Sequence, residues 1–482
     1  MAEEQQNFSG ISKEERREIQ ELYEKGDVEA LREYFGRRVN GWRKIPLNIG
    51  ITGGTGTGKS SFINTMRGLK ANSREAAKVG TRETTTEPTP YPHPENQLIK
   101  FWDLPGVGTP NFTRDKYLER ISFNEYDFFL IITCGRFTEN DKWLAQEVDE
   151  RRKKFFFVRT KIHTDMENDR DDHPDTHTIE DALNEIRNDI RENLGNLYDD
   201  RKVFLIDNKK PMMYDFDKLH QRISDDLPTF QREAFVLSTN ILSEETVKRK
   251  VTILRNKIPD ICRWIAYTAA GKTAIKTVAV GATGIGGAAI RALHIAVKAP
   301  LIAMEFLVAG AHLETKEEYF DAGYDVDDFP EFKFHFWNDM LEKNRAIKDD
   351  VAEIMRNISD HIGGDETFIL EQNKNYFKNL GLDDESLDRT AEIMRCDATF
   401  LHNIVAQHRD QLLTIEGIQQ IIGDIPRSTA EQVASRIPIL NSITAGKTSS
   451  TTIPMSLNKI LTIMEGIAIS VLRAAVENGD LN

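Results

Sequence analysis

Gly53-Gly54-Thr55-Gly56-Thr57-Gly58-Lys59-Ser60 is the stretch whose reading decides the fold. It satisfies GxxxxGK[ST] without a gap, directly after the apolar run Leu47 to Thr52 and directly before Ser61-Phe62-Ile63-Asn64. Strand, glycine loop and helix therefore follow in the order that a phosphate-binding loop requires. Glycines let main-chain N–H groups turn inward around an anion, and the helix that follows presents its positive end to it. In such a loop Lys59 bridges the β- and γ-phosphates of a nucleotide, and the Ser60 hydroxyl ligates magnesium.

Forty residues on, Phe101-Trp102-Asp103-Leu104-Pro105-Gly106 ends an apolar strand with Asp-x-x-Gly. That arrangement puts the Asp103 carboxylate near the magnesium and the Gly106 N–H near the γ-phosphate. Between the two motifs lies the polar stretch Gly80-Thr81-Arg82-Glu83-Thr84-Thr85-Thr86-Glu87, suited to a switch loop in which one threonine closes on the metal and the γ-phosphate.

Five short apolar or β-branched runs, Leu47 to Thr52, Ile99 to Trp102, Phe128 to Thr133, Phe155 to Val158 and Val203 to Ile206, alternate with helical segments. This predicts an α/β domain with a mostly parallel sheet and ligands beyond the carboxyl ends of its strands. Residues 12 to 40 read as two charged helices, with Ser12 and Asp27 as caps and Gly26 closing the first. From Glu244 onward strand signals nearly vanish, and segments such as Asp349 to His361, Ser386 to Gln407 and Leu457 to Val476 have helical spacing. The expected organisation is N-terminal helices over 1–44, a P-loop domain over 45–235 and a helical domain over 236–482 that includes the N-terminal helices.

The 482 residues carry a net charge of -14, which argues against nucleic acid as the main partner. The three cysteines, Cys134, Cys262 and Cys396, are spaced too widely for a zinc knuckle or a disulfide framework, and a reducing cytosol is expected. Met1 to Gln6 has neither basic flank nor apolar stretch, and Ala2 precludes N-myristoylation, so no secretory signal is expected. The Gly- and Ala-rich segment Trp264 to Leu313 is broken by charges, and its longest uncharged run, Thr277 to Ile290, falls short of the roughly 20 residues of a spanning helix. Buried hairpin helices are expected there, an amphipathic membrane contact being the alternative.

Arg159-Thr160-Lys161-Ile162-His163-Thr164-Asp165 follows the strand Phe155 to Val158, where a guanine-reading Thr/Asn-Lys-x-Asp motif belongs. His163 stands where that motif has its carboxylate, and an imidazole cannot accept from two N–H groups at once. Asp165, two places on, points the same way if the chain is extended there, and would then take over.

The order of these motifs resembles that of the immunity-related, interferon-inducible GTPases, a dynamin-like group. The resemblance is close in Gly58-Lys59-Ser60-Ser61-Phe62-Ile63-Asn64, in Phe101 to Phe112 and in Tyr126-Asp127-Phe128-Phe129. It continues through Phe157 to Lys161, Val203-Phe204-Leu205-Ile206-Asp207-Asn208, Asp225 to Pro228, Gly381 to Ser386 and the last stretch from Ile437.

The resemblance implies GTP/GDP and Mg2+ as cofactors, with Gly53 to Ser61, Thr85, Asp103, Gly106, Thr160, Lys161, Asp165, Asp207 and Asn208 as the nucleotide site. Thr85 aligns best with the switch threonine, so that Ser60, Thr85 and Asp103 would hold the metal and Lys59 and Thr85 would serve catalysis. Thr84 and Thr86 are close rivals. Lys161 would lie along the base, and Asn208 would hydrogen-bond the guanine rim. Slow GTP hydrolysis coupled to self-association through G domains is implied, with related GTPases as further partners. The expected location is the cytoplasm, peripherally on intracellular or pathogen-vacuole membranes. Val107 stands where many small GTPases have a water-orienting glutamine, and Gly54 where relatives commonly have Glu. The alternative is therefore a hydrolysis-deficient regulatory or scaffold protein of the same fold. Cys134, after an apolar strand, reads as a small buried residue, and the His173/His177 segment as a solvated loop.

Overall fold

The computed structural model describes residues 13–25, 27–80, 87–107, 113–240, 243–281, 365–423 and 438–479. In chain order the elements of the first half are α1 (Lys13–Glu24), α2 (Val28–Asn40), β1 (Leu47–Gly53), α3 (Lys59–Arg67), β2 (Thr89–His93), β3 (Asn96–Asp103), α4 (Arg114–Arg120), β4 (Phe128–Thr133), α5 (Glu139–Glu150), β5 (Lys154–Arg159), α6 (Ile162–Asp172), α7 (Ile179–Leu194), β6 (Val203–Leu205), α8 (Phe216–Asp226) and α9 (Thr229–Ser238). The second half is helical as far as it is described: α10 (Glu244–Gly281), α11 (Asp365–Asn379), α12 (Asp384–Met394), α13 (Ala398–Leu413), α14 (Ile415–Gly423) and α15 (Pro438–Asn478). The chain forms two compact units, each discontinuous in sequence.

One unit gathers residues 42–251, 377–407 and 465–482 around a six-stranded sheet of order β2-β3-β1-β4-β5-β6. The strands from β3 to β6 are parallel, and each of the five runs anticipated above is one of them. Leu47, Ile49 and Ile51 are fully buried, and every residue of β4 is buried. Such near-continuous apolar runs mark parallel strands covered by helices on both faces. Phe129, Ile131, Leu144, Val148, Phe157 and Leu205 form the centre of one contiguous core beneath α5 and α7.

β2 was not anticipated. It pairs antiparallel with β3, at the sheet edge, and contains Pro90 and Pro92. Proline cannot donate to a ladder and survives in sheets only at such edges, so its presence disguises the strand.

The other unit gathers residues 1–41, 252–376 and 408–464. Asp27 caps α2, accepting from the Ala30 N–H at 3.0 Å. Leu31, Phe35, Ile258, Ile369, Leu412 and Ile460 are all buried in this unit. Arg38 donates to Asp260 at 2.7 Å, and Lys257 donates to the Arg38 carbonyl at 2.9 Å.

The run Ser386 to Gln407, read above as one helical segment, is two helices. Arg395 adopts φ 55° and ends α12, and α13 restarts at Ala398. A left-handed residue just past the last turn is a common helix stop, here without the usual glycine to announce it. Asp349 to His361, the caps Ser12 and Gly26, and the Trp264 to Leu313 segment beyond Gly281 lie outside the described residues. Among the described residues, no helix is long and apolar enough to cross a membrane.

Candidate functional site

β1 ends at Gly53, where φ is 142° and an added Cβ would lie 1.9 Å from the Ile132 carbonyl oxygen, so only glycine fits. The chain then turns through Gly56 (φ 76°) and Gly58 (φ 94°) and enters α3 at Lys59. The loop is braced from inside: Thr57 Oγ1 donates to the Gly54 carbonyl at 2.9 Å, and Lys59 Nζ donates to the carbonyls of Gly53 and Gly54 at 3.3 and 3.0 Å.

Three side chains from two neighbouring strand ends brace it from outside. Thr160 Oγ1 donates to the Thr57 carbonyl at 2.6 Å, Lys161 Nζ to that of Gly56 at 2.9 Å, and Asn208 Nδ2 to that of Gly58 at 3.1 Å. Because a trans peptide holds C=O and N–H on opposite sides, fixing these three carbonyls against the wall turns the N–H groups of Thr57, Gly58 and Lys59 the other way. The result is a fixed cluster of donors at the positive end of α3, an anion site by construction.

The second motif meets the first because β1 and β3 are parallel neighbours in the register Ile51 to Asp103. Ser60 Oγ donates to Asp103 Oδ2 at 2.8 Å. Gly106 approaches Thr55 so closely that a Cβ would lie 2.6 Å from Thr55 Oγ1 and 3.1 Å from its main-chain nitrogen. Ser61 follows in the first turn of α3, where its carbonyl accepts from Thr65 Oγ1 at 3.0 Å. Thr85, with Thr84 and Thr86, lies outside the described residues.

Beyond Lys161, itself left-handed at φ 62°, the chain is helical from Ile162. The extended conformation assumed above for residues 163 to 165 is therefore corrected: at 3.6 residues per turn, positions two apart face nearly opposite sides. The Asp165 carboxylate is held by Arg159 Nη2 at 2.7 Å. Burial pushes that carboxyl up, and the Arg159 guanidinium opposes the rise. The ring of His163 is engaged too, Nδ1 with Tyr214 Oη at 3.1 Å and Nε2 with Glu167 at 3.4 Å. The His163 main-chain N–H donates to Asp207 Oδ2 at 3.2 Å.

Arg159 and Tyr214 were given no role on sequence alone. Arg159 bridges the Thr160 carbonyl, at 2.9 Å, and Asp165, so it ties the end of β5 to the first turn of α6. A cation directly after the apolar run Phe155 to Val158 was the available signal. Tyr214 has φ 62°, which no local pattern announces. Cys134, expected to be buried, is half-exposed, with Sγ 3.7 Å from the Gly56 carbonyl. At the His173/His177 turn, Asp169 accepts from both rings, at 3.1 and 2.6 Å, which lowers its carboxyl.

Comparison with known proteins shows similarity to guanine-nucleotide-binding proteins. The chain is 41% identical over 214 residues to T-cell-specific guanine nucleotide triphosphate-binding protein 2 of Mus musculus, an alignment covering 44% of this chain and 52% of that protein. It is 37% identical over 265 residues to interferon-gamma-inducible GTPase 10 of Mus musculus, covering 55% and 62%. It is 37% identical over 249 residues to interferon-inducible GTPase 5 of Bos taurus, covering 52% and 54%. The matches thus span between 52% and 62% of the length of these relatives. The sequence model of the interferon-inducible GTPase (IIGP) family matches residues 12–262, more than half of the 482, and the chain belongs to that family.

Proposed function

We propose that the chain binds GTP with magnesium in the loop Gly53 to Ser60 and hydrolyses it slowly to GDP and phosphate, residues 45–235 acting as the nucleotide domain and residues 1–44 with 236–482 as its helical partner. One observation carries the reading: the carbonyls of Gly56, Thr57 and Gly58 are all tied down by Lys161, Thr160 and Asn208, which turns the opposing N–H groups away from those side chains. Lys59 reaches two loop carbonyls at the same turn, so its ammonium adds full positive charge where phosphate oxygens would collect.

A hard divalent ion fits the donors present. Ser60 Oγ and the Asp103 carboxylate are adjacent oxygens at the helix start, and among the described residues no group of three His, Cys, Asp or Glu offers a site for a softer metal. Magnesium, when bound, neutralises charge on the phosphates. Asn208 Oδ1 is buried and has no hydrogen-bond partner among the described residues, the kind of acceptor that a bound base satisfies.

Slow turnover follows from Val107, buried and apolar directly after Gly106, where it offers no polar group to orient water. A second copy, meeting the first through its G domain, would then supply the missing group, and action on intracellular membranes is the corresponding cellular reading. Thr85 is proposed as the switch ligand. The same Val107 favours a second reading, in which the chain holds GTP without hydrolysing it and acts as a scaffold.

Phosphate release is to be followed over a wide range of protein concentration, with Lys59→Ala as the reference. Turnover per molecule should rise with concentration and vanish in the variant. Flat turnover rejects the dimer coupling, and GTP binding with no release above the Lys59→Ala level selects the scaffold.

A further inference from the structure

The edge of guanine that distinguishes it from other purines carries two donors, N1–H and the exocyclic amino group, and a single carboxylate satisfies both. His163, where the loop motif calls for that carboxylate, has both ring nitrogens engaged with Tyr214 and Glu167. Asp165 lies on the far side of the turn and is committed to Arg159 at 2.7 Å. A third carboxylate stands at the same place.

The ends of β5 and β6 are zipped together. The Ile206 N–H donates to the Arg159 carbonyl at 2.8 Å, and the Ile162 N–H donates to the Ile206 carbonyl at 3.2 Å. Asp207 is therefore set directly against residue 163. Its Oδ2 accepts the His163 N–H at 3.2 Å and its Oδ1 accepts the Lys209 N–H at 2.8 Å, so the carboxylate occupies the main chain from which the motif's own carboxylate would project. Each oxygen of an ionised carboxylate has a further acceptor position. On its other side in sequence, Asn208 is tied to the Gly58 carbonyl of the phosphate loop.

We propose that Asp207, presented at the backbone of His163 by the β5–β6 junction, is the carboxylate that reads the guanine edge in this chain. The inference rests on the nucleotide site proposed above and assigns its base specificity to a different strand end from the one the motif names. Thr160 and Lys161 keep their bracing roles in the loop, while the acceptor has moved across to the adjacent strand.

The test measures the affinities of GDP, IDP and XDP, each with magnesium, by titration calorimetry on the full chain. IDP lacks the exocyclic amino group, and XDP presents a carbonyl in its place. An amide accepts one hydrogen bond and donates another, which suits xanthine. Asp207→Asn should shift the GDP-to-XDP preference by about tenfold or more toward XDP and erase the GDP-over-IDP preference. Asp165→Asn, which loosens Arg159 at the start of α6, should weaken the three nucleotides alike and keep both ratios within about threefold of the wild type. A purely structural role for Asp207 would weaken all three nucleotides alike and leave the ratios fixed, which overturns the proposal, as does a shift produced by Asp165→Asn.

His163→Asp keeps the question open to measurement if Asp207→Asn does not fold. With Asp207 already reading the base, the added carboxylate should change the GDP-to-XDP ratio by less than about threefold, and a gain of about tenfold or more would show that the edge had no reader. Wild-type protein that binds none of the three diphosphates defeats the nucleotide site itself, a result separate from tight GDP binding with unchanged ratios in Asp207→Asn.

Discussion

The Thr160 hydroxyl donates to the Thr57 main-chain carbonyl at 2.6 Å, so the end of β5 is pinned to the turn of the glycine loop on the next strand but one. Thr160 is fully buried, and its N–H also donates to the Thr133 carbonyl at 2.9 Å. Thr160→Val keeps the shape and removes the hydroxyl, leaving the Thr57 carbonyl without this donor. A loss of about 1–3 kcal/mol in urea unfolding is expected, together with weaker nucleotide binding.

Gly106→Ala should act on the loop through contact. Its Cβ would meet Thr55 at 2.6 Å, so either the segment after β3 or the loop must move, at about 1–3 kcal/mol. Gly56→Ala meets nothing within 4 Å among the described residues and carries the cost of a left-handed residue, about 1–2 kcal/mol. Calorimetry should show the larger loss of nucleotide affinity in Gly106→Ala, since only that variant pushes on a loop residue.

Glu95 receives Arg389 at 2.6 Å and Lys378 at 3.2 Å, and the two cations differ in burial: the Arg389 side chain is 8% exposed, that of Lys378 59%. These partners hold the Glu95 carboxyl low although burial opposes them. Arg389→Ala leaves the half-buried carboxylate with the more exposed Lys378 and should cost about 2–3 kcal/mol, whereas Lys378→Ala should cost less than about 1 kcal/mol. Equal losses in chemical denaturation would contradict the difference in burial.

Stability should vary with pH on both sides of neutrality. Burial brings the Lys250 ammonium down to about 7, where Nζ donates to the carbonyls of Leu237 and Asn379 at 3.2 and 2.8 Å. The unfolded chain keeps that proton up to about 10.5, so between the two values it binds more protons than the folded chain, and stability rises with pH. Burial also lowers His93 to about 3 and His220 to about 4, so stability falls as pH drops below about 6.5 and the unfolded chain takes up protons first. Lys250→Met should flatten the alkaline slope and leave the acid slope in place, as read from denaturation midpoints across the pH range.

Much of this architecture is legible in the sequence, and the exceptions have physical causes. The five parallel strands stand out because burial on both faces makes each a continuous apolar run, and GxxxxGKS places its own strand, turn and helix. β2 was hidden by Pro90 and Pro92, which suit an edge and deny a strand everywhere else. The break at Arg395 was hidden because a non-glycine residue took the left-handed stop.

The base loop was the hardest part to read. Motif spacing puts it directly after β5, but the helix that begins at Ile162 goes with a hydrogen bond from the Ile162 N–H to the Ile206 carbonyl, a contact far apart in the chain. Asp207 was already counted in the nucleotide site, but its contact with the His163 N–H is set by strand pairing and by no local pattern.

The most direct test of the central claim is a calorimetric titration of the wild type and Lys59→Ala with a non-hydrolysable GTP analogue at millimolar magnesium. Saturable one-site binding is expected in the wild type, weakened about tenfold or more in Lys59→Ala, because one of the charged donors of the loop is lost. Equal binding by the two proteins, or no heat from folded wild type, would contradict it.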